Sequence, residues 1–210
     1  MKKDRLLLFL LFLPLLTFAQ QDFKLVSDPT AVSKKISETA RNIHSIESDF
    51  VQEKNLSVIA EKIVSKGHFS FKKENKLRWE YKEPFQYLVI LNNGKIFTKD
   101  ANKENKIDLQ SNKTFQEINN LIVNSVEGNI SASKRFSYKI FENSTFYLIK
   151  LIPTSKDVKN LFAEIEIYFD KKDQTVSKVN MIEASGDNTL ITFLNRKTNL
   201  EIPDEKFSTK

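Results

Sequence analysis

An alternation of apolar and charged residues with a period of two recurs through most of this chain and constrains its fold more than any other feature. It is clearest over residues 66–71 and 76–81, which the polar sequence Lys-Lys-Glu-Asn separates. Successive side chains of a β-strand point to opposite faces of the sheet, so the pattern predicts a hairpin with one apolar and one charged face. A second hairpin is predicted over residues 86–98, around an Asn-Asn-Gly turn.

The alternation continues towards the C-terminus. Further strands are predicted over residues 50–54, 136–140, 146–151, 163–169, 176–182 and 190–194. Other predicted segments are an edge or loop at 57–65, a loop with at most a short strand (106–109) at 100–113, and an irregular link at 153–159. About nine to eleven antiparallel strands therefore indicate a mainly β domain.

Two segments have helical periodicity instead. Residues 29–46 carry a narrow apolar stripe, and residues 114–126 carry a second one, with Gly128 as a stop signal. Most of the strands have one apolar face that must be covered, and these two helices are the elements available to cover it. The predicted fold is therefore α+β but mainly β, a strongly curved antiparallel sheet with helices lying inside it.

Residues 1–19 have the parts of a secretory signal peptide. A short basic start precedes the apolar run Leu6–Leu16, and a small residue, Ala19, ends the segment. The apolar run is shorter than the roughly 20 residues that span a bilayer, which favours cleavage after Ala19 over retention as a membrane anchor. The expected product is an exported single domain over residues 20–210.

Composition excludes several classes of protein. The chain has no cysteine, so thiolate metal sites and cysteine nucleophiles are excluded, and the fold must depend on its core. A net charge of +6 fits a lysine-rich surface with weak attraction to anionic membranes. No nucleic-acid recognition motif is present, and nucleic acid is not an expected partner.

Nothing in the sequence favours catalysis. Neither His44 nor His68 has a neighbour at metal-ligand spacing, and there is no nucleophile elbow or phosphate-binding loop. Glu164 and Glu166 project from the same face of one predicted strand and resemble an acid pair. That spacing is also typical of a solvated strand face, which is the favoured interpretation.

The apolar face of the first hairpin is rich in large rings. Phe69, Phe71, Trp79 and Tyr81 share it with Leu77, and Phe97 is expected to extend it from the next hairpin. Such a face has two interpretations. It can be an ordinary filled core, or, since rigid rings are hard to pack to native density around small helices, it can line a cavity for apolar ligands. Periodicity leaves both open.

These residues also carry a resemblance to a known family. Phe50-Val-Gln52, Gly67-His-Phe69-Ser-Phe71, Leu77-Arg-Trp79-Glu-Tyr81, Pro84 and Asn93-Gly94-Lys95 occur in that order after a helix and a signal peptide. This arrangement resembles the LolA family of periplasmic carriers of outer-membrane lipoproteins. The likeness is strongest over residues 50–97 and weaker over residues 136–207.

The resemblance implies an incomplete β-barrel with a helical lid over an apolar cavity for acyl chains. It implies no cofactor and a monomeric shuttle that receives acylated lipoproteins from an inner-membrane ABC transporter complex and delivers them to an outer-membrane acceptor. The expected acyl-chain-binding residues are Phe50, Phe69, Phe71, Leu77, Trp79, Tyr81, Val89, Phe97, Ile118, Leu121, Ile165 and Ile167. The family usually has Arg-Pro where this chain has Lys73-Glu74, and Lys73 is the expected lid and transfer residue.

Two alternatives remain beside the carrier. A sensor or regulator on the same kind of fold would bind a lipid or a lipoprotein in order to signal, and a second domain would favour it. An enzyme acting on lipid-linked substrates would need a buried carboxylate pair in the cavity, and the sequence places none there.

Overall fold

The computed structural model describes residues 22–59, 61–108 and 135–208, together with residues 124 and 128. The predicted signal peptide and most of the predicted helix at 114–126, including Ile118 and Leu121, lie outside these residues. None of the described helices has the length and hydropathy of a membrane span.

The described part of the chain is built mainly from β-strands. The strands are β1 (Lys24–Leu25), β2 (Ser45–Asn55), β3 (Lys62–Lys72), β4 (Lys76–Glu83), β5 (Tyr87–Asn92), β6 (Lys95–Lys99), β7 (Glu104–Asp108), β8 (Phe136–Glu142), β9 (Phe146–Pro153), β10 (Phe162–Asp170), β11 (Val176–Glu183) and β12 (Asn188–Thr198). The helices are α1 (Pro29–Arg41), α2 (Lys156–Lys159) and a C-terminal 3₁₀ helix (Asp204–Phe207).

All twelve strands belong to one antiparallel sheet, in the order β1-β8-β9-β10-β11-β12-β2-β3-β4-β5-β6-β7. Strands β1 and β7 are the two edges, so the sheet is open. This confirms the mainly β, antiparallel fold. The sequence predicted fewer strands because β1 has two residues and therefore no detectable period. The segment 57–65 was predicted to be an edge or a loop, and its residues from Lys62 to Ser65 begin β3 with β2 as their one partner strand.

Helix α1 has a capped N-terminus and ends earlier than the sequence predicted. The Asp28 carboxylate accepts a hydrogen bond from the Ala31 N–H (2.9 Å), and Pro29 occupies the first helical position. The helix ends at Arg41, earlier than the predicted residue 46, because the backbone of His44 is hydrogen-bonded elsewhere. Its carbonyl accepts from the Lys73 N–H (2.9 Å), and its N–H donates to the Asn199 side chain (2.7 Å).

The concave face of the sheet divides into two regions. In the packed region, α1 inserts Val32 and Ile36 against strands β8–β10, where Ile140, Ile149 and Ile165 are fully buried. In the hollow region, strands β2–β6 and β12 supply a second cluster dominated by Phe50, Phe69, Phe71, Leu77 and Trp79. Half-buried Met181 on β11 packs against both clusters.

The convex face is covered in part by the C-terminal segment. Ile202 and Phe207 pack against Ile90 and Phe97, forming a small third cluster. The prediction that Phe97 extends the concave lining is therefore wrong. The two-residue Asn93-Gly94 turn pairs Asn92 with Lys95 and hence Ile90 with Phe97, which puts Phe97 on the face opposite to Val89.

Candidate functional site

The hollow region contains an apolar cavity of about 310 Å³. Its lining consists of Ala40, Ile43, Ile46, Ser48, Gln52, Phe69, Leu77, Trp79, Tyr81, Tyr87, Val89, Leu91, Ile96, Phe169, Gln174, Thr175, Val176, Val179, Met181, Ile191, Phe193, Arg196 and Thr198. These residues extend from β10 to β6, which are seven positions apart in the sheet. The sheet must curve strongly for both to face one cavity, as the sequence predicted.

Aromatic side chains build one wall of the cavity. The ring centroid of Trp79 lies 4.8 Å from that of Phe50, 5.1 Å from that of Phe69 and 5.9 Å from that of Phe193. The Phe69 and Phe193 rings meet Trp79 edge-on, an arrangement that favours rigid mutual packing. Gly67 is required beneath this wall, because a Cβ there would lie 2.0 Å from the Glu80 carbonyl oxygen and 2.7 Å from the Phe50 ring.

Two of the polar side chains at this wall are hydrogen-bonded within the protein, whereas the buried indole N–H of Trp79 has no hydrogen-bond partner among the described residues. The Tyr81 hydroxyl donates to the Gln52 side-chain oxygen (2.9 Å), and the Ser48 hydroxyl donates to the Leu194 carbonyl (2.8 Å). Burial raises the pKa of Tyr81 to about 12, so the phenol is neutral at physiological pH. This end of the cavity therefore presents uncharged, water-poor surface to a ligand.

The cavity lining also includes one charged side chain, Arg196, which is paired with carboxylates of the same chain. The Arg196 guanidinium is 3.1 Å from both the Asp170 and the Asp173 carboxylates, and its Nε donates to the Thr175 hydroxyl (3.0 Å). Hydrogen bonds from the Thr175 backbone and hydroxyl and from Arg196 hold the pKa of Asp173 low against the opposing effect of burial. Arg196 is thus occupied by ion pairs and does not offer a free cation to a ligand.

The structure brings part of the predicted site together. Phe69, Leu77, Trp79, Tyr81 and Val89 line the cavity, whereas Phe50 and Phe71 support this lining from within the same cluster.

Ile165 and Ile167 were predicted to bind acyl chains, but the structure places both away from the cavity. Both belong to the packed region, where they contact the cluster beneath α1 and do not line the cavity. Residues absent from the predicted set, such as Ile96, Val179 and Ile191, complete the lining. Strand β12 reaches the site because Ile191 pairs with Gln52, 139 positions earlier in the chain, and a local periodicity carries no information about that pairing.

Comparison with known proteins identifies the family. The model of the family described as outer membrane lipoprotein carrier protein LolA matches residues 41–210. The chain belongs to the LolA family. An outer-membrane lipoprotein carrier protein from Francisella philomiragia is 28% identical over 171 residues, covering 81% of this chain and 80% of that protein.

Two solved structures are similar to this chain at low sequence identity. A LolA superfamily protein from Nitrosomonas europaea is 11% identical, with a TM-score of 0.47 over 84% of this chain and 97% of that one. A chain from the MucA/MucB complex of Pseudomonas aeruginosa is also 11% identical, with a TM-score of 0.50 over 86% of this chain and 61% of that one.

Lys73, the residue expected from the sequence to act in lid closure and transfer, contacts the end of α1. Its Nζ donates to the Arg41 carbonyl oxygen (2.5 Å), one of the terminal carbonyls that have no partner within the helix. A cation there also complements the negative end of the helix dipole. The adjacent Glu74 adopts a left-handed conformation (φ 72°) at the turn, and its side chain is exposed.

The remaining titratable groups singled out in the sequence lie away from the cavity lining. Glu164 and Glu166 share an ion pair with Lys150, at 2.9 and 2.8 Å. His68 lies between Asp49 and Glu47, with its Nδ1 2.9 Å from the Asp49 carboxylate and its Nε2 facing Glu47. Across the described residues, no group of three or more metal-ligating side chains is present.

Proposed function

We propose that this protein carries acylated lipoproteins by enclosing their acyl chains in the apolar cavity of the hollow region. The observation that supports this most strongly is the cavity itself, which is lined mainly by aromatic and aliphatic side chains. Membership of the LolA family and the relationship to a lipoprotein carrier point in the same direction. No step of this function requires a cofactor or covalent chemistry.

The physical need for such a carrier follows from the hydrophobic effect. Each methylene group hidden from water contributes about 0.8 kcal/mol, so an acylated protein cannot cross an aqueous compartment with its chains exposed. The volume of about 310 Å³ is roughly twice that of an apolar cavity able to hold benzene, about 150 Å³, and lies at the lower end of the range for ligand pockets. It is large enough for part of a lipid anchor, and full capture would require the cavity to expand.

The proposal also states in which compartment the protein acts and which partners it meets in turn. The signal-like N-terminus and the family relationship support a periplasmic protein. It would act as a monomer that receives lipoproteins from an inner-membrane ABC transporter complex and passes them to an outer-membrane acceptor. Lys73 would then control the last turn of α1, which reaches the cavity through Ala40, since its bond to the Arg41 carbonyl joins the β3–β4 turn to the end of that helix.

Native mass spectrometry of the protein purified from a periplasm that contains a tagged lipoprotein tests this function. A one-to-one complex is expected, and it should be lost when the lipoprotein lacks its acylation site. Val89→Phe should reduce the complex because Val89 lines the cavity. Leu88→Phe is the matched control, because the neighbouring side chain points to the convex face and packs against the third cluster.

Two results would contradict the carrier function. One is a lipoprotein complex that survives removal of the acyl chains. The other is a protein that holds only phospholipid or another small amphiphile, which would favour the sensor or general lipid-binding alternative.

A further inference from the structure

The hairpin that joins β2 to β3 extends past the end of the neighbouring strand β4. Asn55 pairs with Lys62 at the end of the hairpin, but pairing between β3 and β4 begins only at Lys66, opposite Glu83. Residues 62–65 therefore pair with β2 and have no partner in β4. At about 3.3 Å per residue, the hairpin projects roughly 13 Å beyond β4.

This projecting hairpin exposes large apolar side chains. Val58 is 87% exposed and Ile59 is 50% exposed at its tip, and Ile63 and Val64 are 43% and 44% exposed on its second strand. Phe85, in the loop after β4, is 50% exposed at the same end of the sheet. We refer to Val58, Ile59, Ile63, Val64 and Phe85 as the apolar rim. A cluster of exposed apolar side chains of this kind marks an interaction surface.

The apolar rim is continuous with the cavity. The Phe85 ring stacks on that of Tyr81, with centroids 5.8 Å apart and an interplanar angle of 25°, and Tyr81 lines the cavity. Ile63 projects from the concave face of β3, two residues beyond Ser65, which pairs with the cavity residue Gln52. Phe85 and Ile63 thus extend the apolar surface from the aromatic wall towards the tip of the hairpin, whereas Val64 projects from the opposite face of β3.

Charges beside the apolar rim are balanced within the chain. Lys54 pairs with Glu183 (3.4 Å), Lys62 with Glu53 (2.7 Å) and Lys66 with Glu83 (2.9 Å). Exposed Lys82 and Glu61 add one charge of each sign. A strongly charged partner would find no complementary field here, so burial of apolar side chains must supply the affinity.

We propose that the apolar rim inserts into the surface of a lipid bilayer and places the mouth of the cavity against the membrane. The inference rests on the proposed function, because a bilayer is the surface that holds the acyl chains that the cavity would take. Shallow insertion into the headgroup region is compatible with a β-hairpin, since its unpaired backbone groups stay hydrated there, whereas the hydrocarbon core would not hydrate them.

Vesicle co-sedimentation of the full mature chain tests the inference. Vesicles of phosphatidylcholine, with and without phosphatidylglycerol, are the probes, and an acyl-chain fluorophore measured in parallel reports on the cavity. The double variant Val58→Asp/Ile59→Asp should lower binding to both vesicles about tenfold or more, because two apolar side chains leave the interface. Binding of the fluorophore should not change, because neither residue lines the cavity. Leu200→Asp is the matched control, since Leu200 is similarly exposed (45%) but lies outside the apolar rim.

Three results would overturn the inference. The wild-type protein could fail to bind vesicles, the double variant could bind them as the wild type does, or binding could occur only with phosphatidylglycerol and vanish in salt. In each case an intact fluorophore signal would leave the proposed function standing. Vesicle binding without any fluorophore binding would contradict the proposed function and leave the apolar rim as a membrane-binding surface.

Discussion

The packed and hollow regions are parts of the same sheet, with the same alternation of residues, yet only one of them is filled. Beneath α1, the sheet is lined mainly by aliphatic side chains, and Ile36 of the helix is completely buried among them. Across Met181, several aromatic rings join the aliphatic side chains of the lining, and a cavity of about 310 Å³ remains. The difference teaches that chain connectivity decides which region of the concave face is filled, because α1 covers β8–β10 and extends only Ala40, in its last turn, to the cavity.

The side chains of each region help to explain why the packed region is filled and the hollow region is open. Branched aliphatic side chains interdigitate with a helix surface at native density. Rings such as Trp79 and Phe69, held edge-to-face with centroids 5.1 Å apart, form a stiff wall that does not collapse into the space beside it. The hollow region can therefore stay open without a ligand.

Truncating one isoleucine in each region should give the largest difference in stability between the packed and hollow regions. Ile167→Ala in the packed region should lower the free energy of unfolding by about 4 kcal/mol, because it creates a new cavity among close neighbours. Ile191→Ala, at the existing cavity, should cost about 2 kcal/mol, because fewer contacts are lost on its open side. Urea unfolding measures both values, and equal losses would mean that the two regions are packed alike.

Enlarging a side chain in each region should have a smaller effect. Ile165→Phe should destabilise the protein by about 2 kcal/mol, because a full core must distort to admit a ring. Val89→Phe should cost less than about 1 kcal/mol, since the added ring can enter the void, and it should reduce acyl-chain binding sharply. Parallel urea unfolding and fluorophore titration would contradict this account if Val89→Phe were the more destabilising change.

Removing the charge that joins the two regions should have a modest effect. Lys73→Met should lower the free energy of unfolding by about 0.5 kcal/mol, since it deletes a cation from the end of α1. If the last turn of α1 controls access to the cavity, acyl-chain release should become faster in stopped-flow measurements. Lys73→Arg, which keeps the positive charge, is the control and should release acyl chains as slowly as the wild type.

The smallest effect on stability is expected from a change on the convex face. Such a change also tests whether acyl-chain binding in the cavity is independent of that face. Hydrogen bonds from Lys72 and Lys76 lower the pKa of Asp204 to about 2. Because this folded-state pKa lies below the ordinary value of about 3.9, the stabilisation is fully present above about pH 4 and is lost as the pH falls through about 2.

Urea unfolding of the wild type and Asp204→Asn between these pH values measures the loss. The difference in stability between the two proteins should shrink as the pH falls. Acyl-chain binding at neutral pH should be the same for both. A weakened cavity in Asp204→Asn would mean that the C-terminal segment and the hollow region are coupled.

Local sequence patterns predicted the strands and the position of much of the aromatic wall, because alternation depends only on neighbouring residues. Phe69, Leu77 and Trp79 follow from it directly. The error at Phe97 was avoidable, since a two-residue turn at Asn93-Gly94 fixes the register of that hairpin.

The division between the two regions could not be predicted in the same way. Ile165 and Ile191 have the same apolar character, and what separates them is the helix above one and the void above the other. That outcome depends on where α1 docks and on the pairing of β12 with β2, both of which are set by contacts between distant parts of the chain.

The most direct test of the account is an NMR experiment on protein with labelled isoleucine methyl groups, titrated with a diacylated lipopeptide. The hollow region contains Ile43, Ile46, Ile96 and Ile191, whereas the packed region contains Ile36, Ile140, Ile149, Ile165 and Ile167. We predict nuclear Overhauser contacts from the acyl chains to the first group and none to the second. Contacts to the second group, or binding that leaves the first group untouched, would contradict the assignment of the cavity as the lipid site.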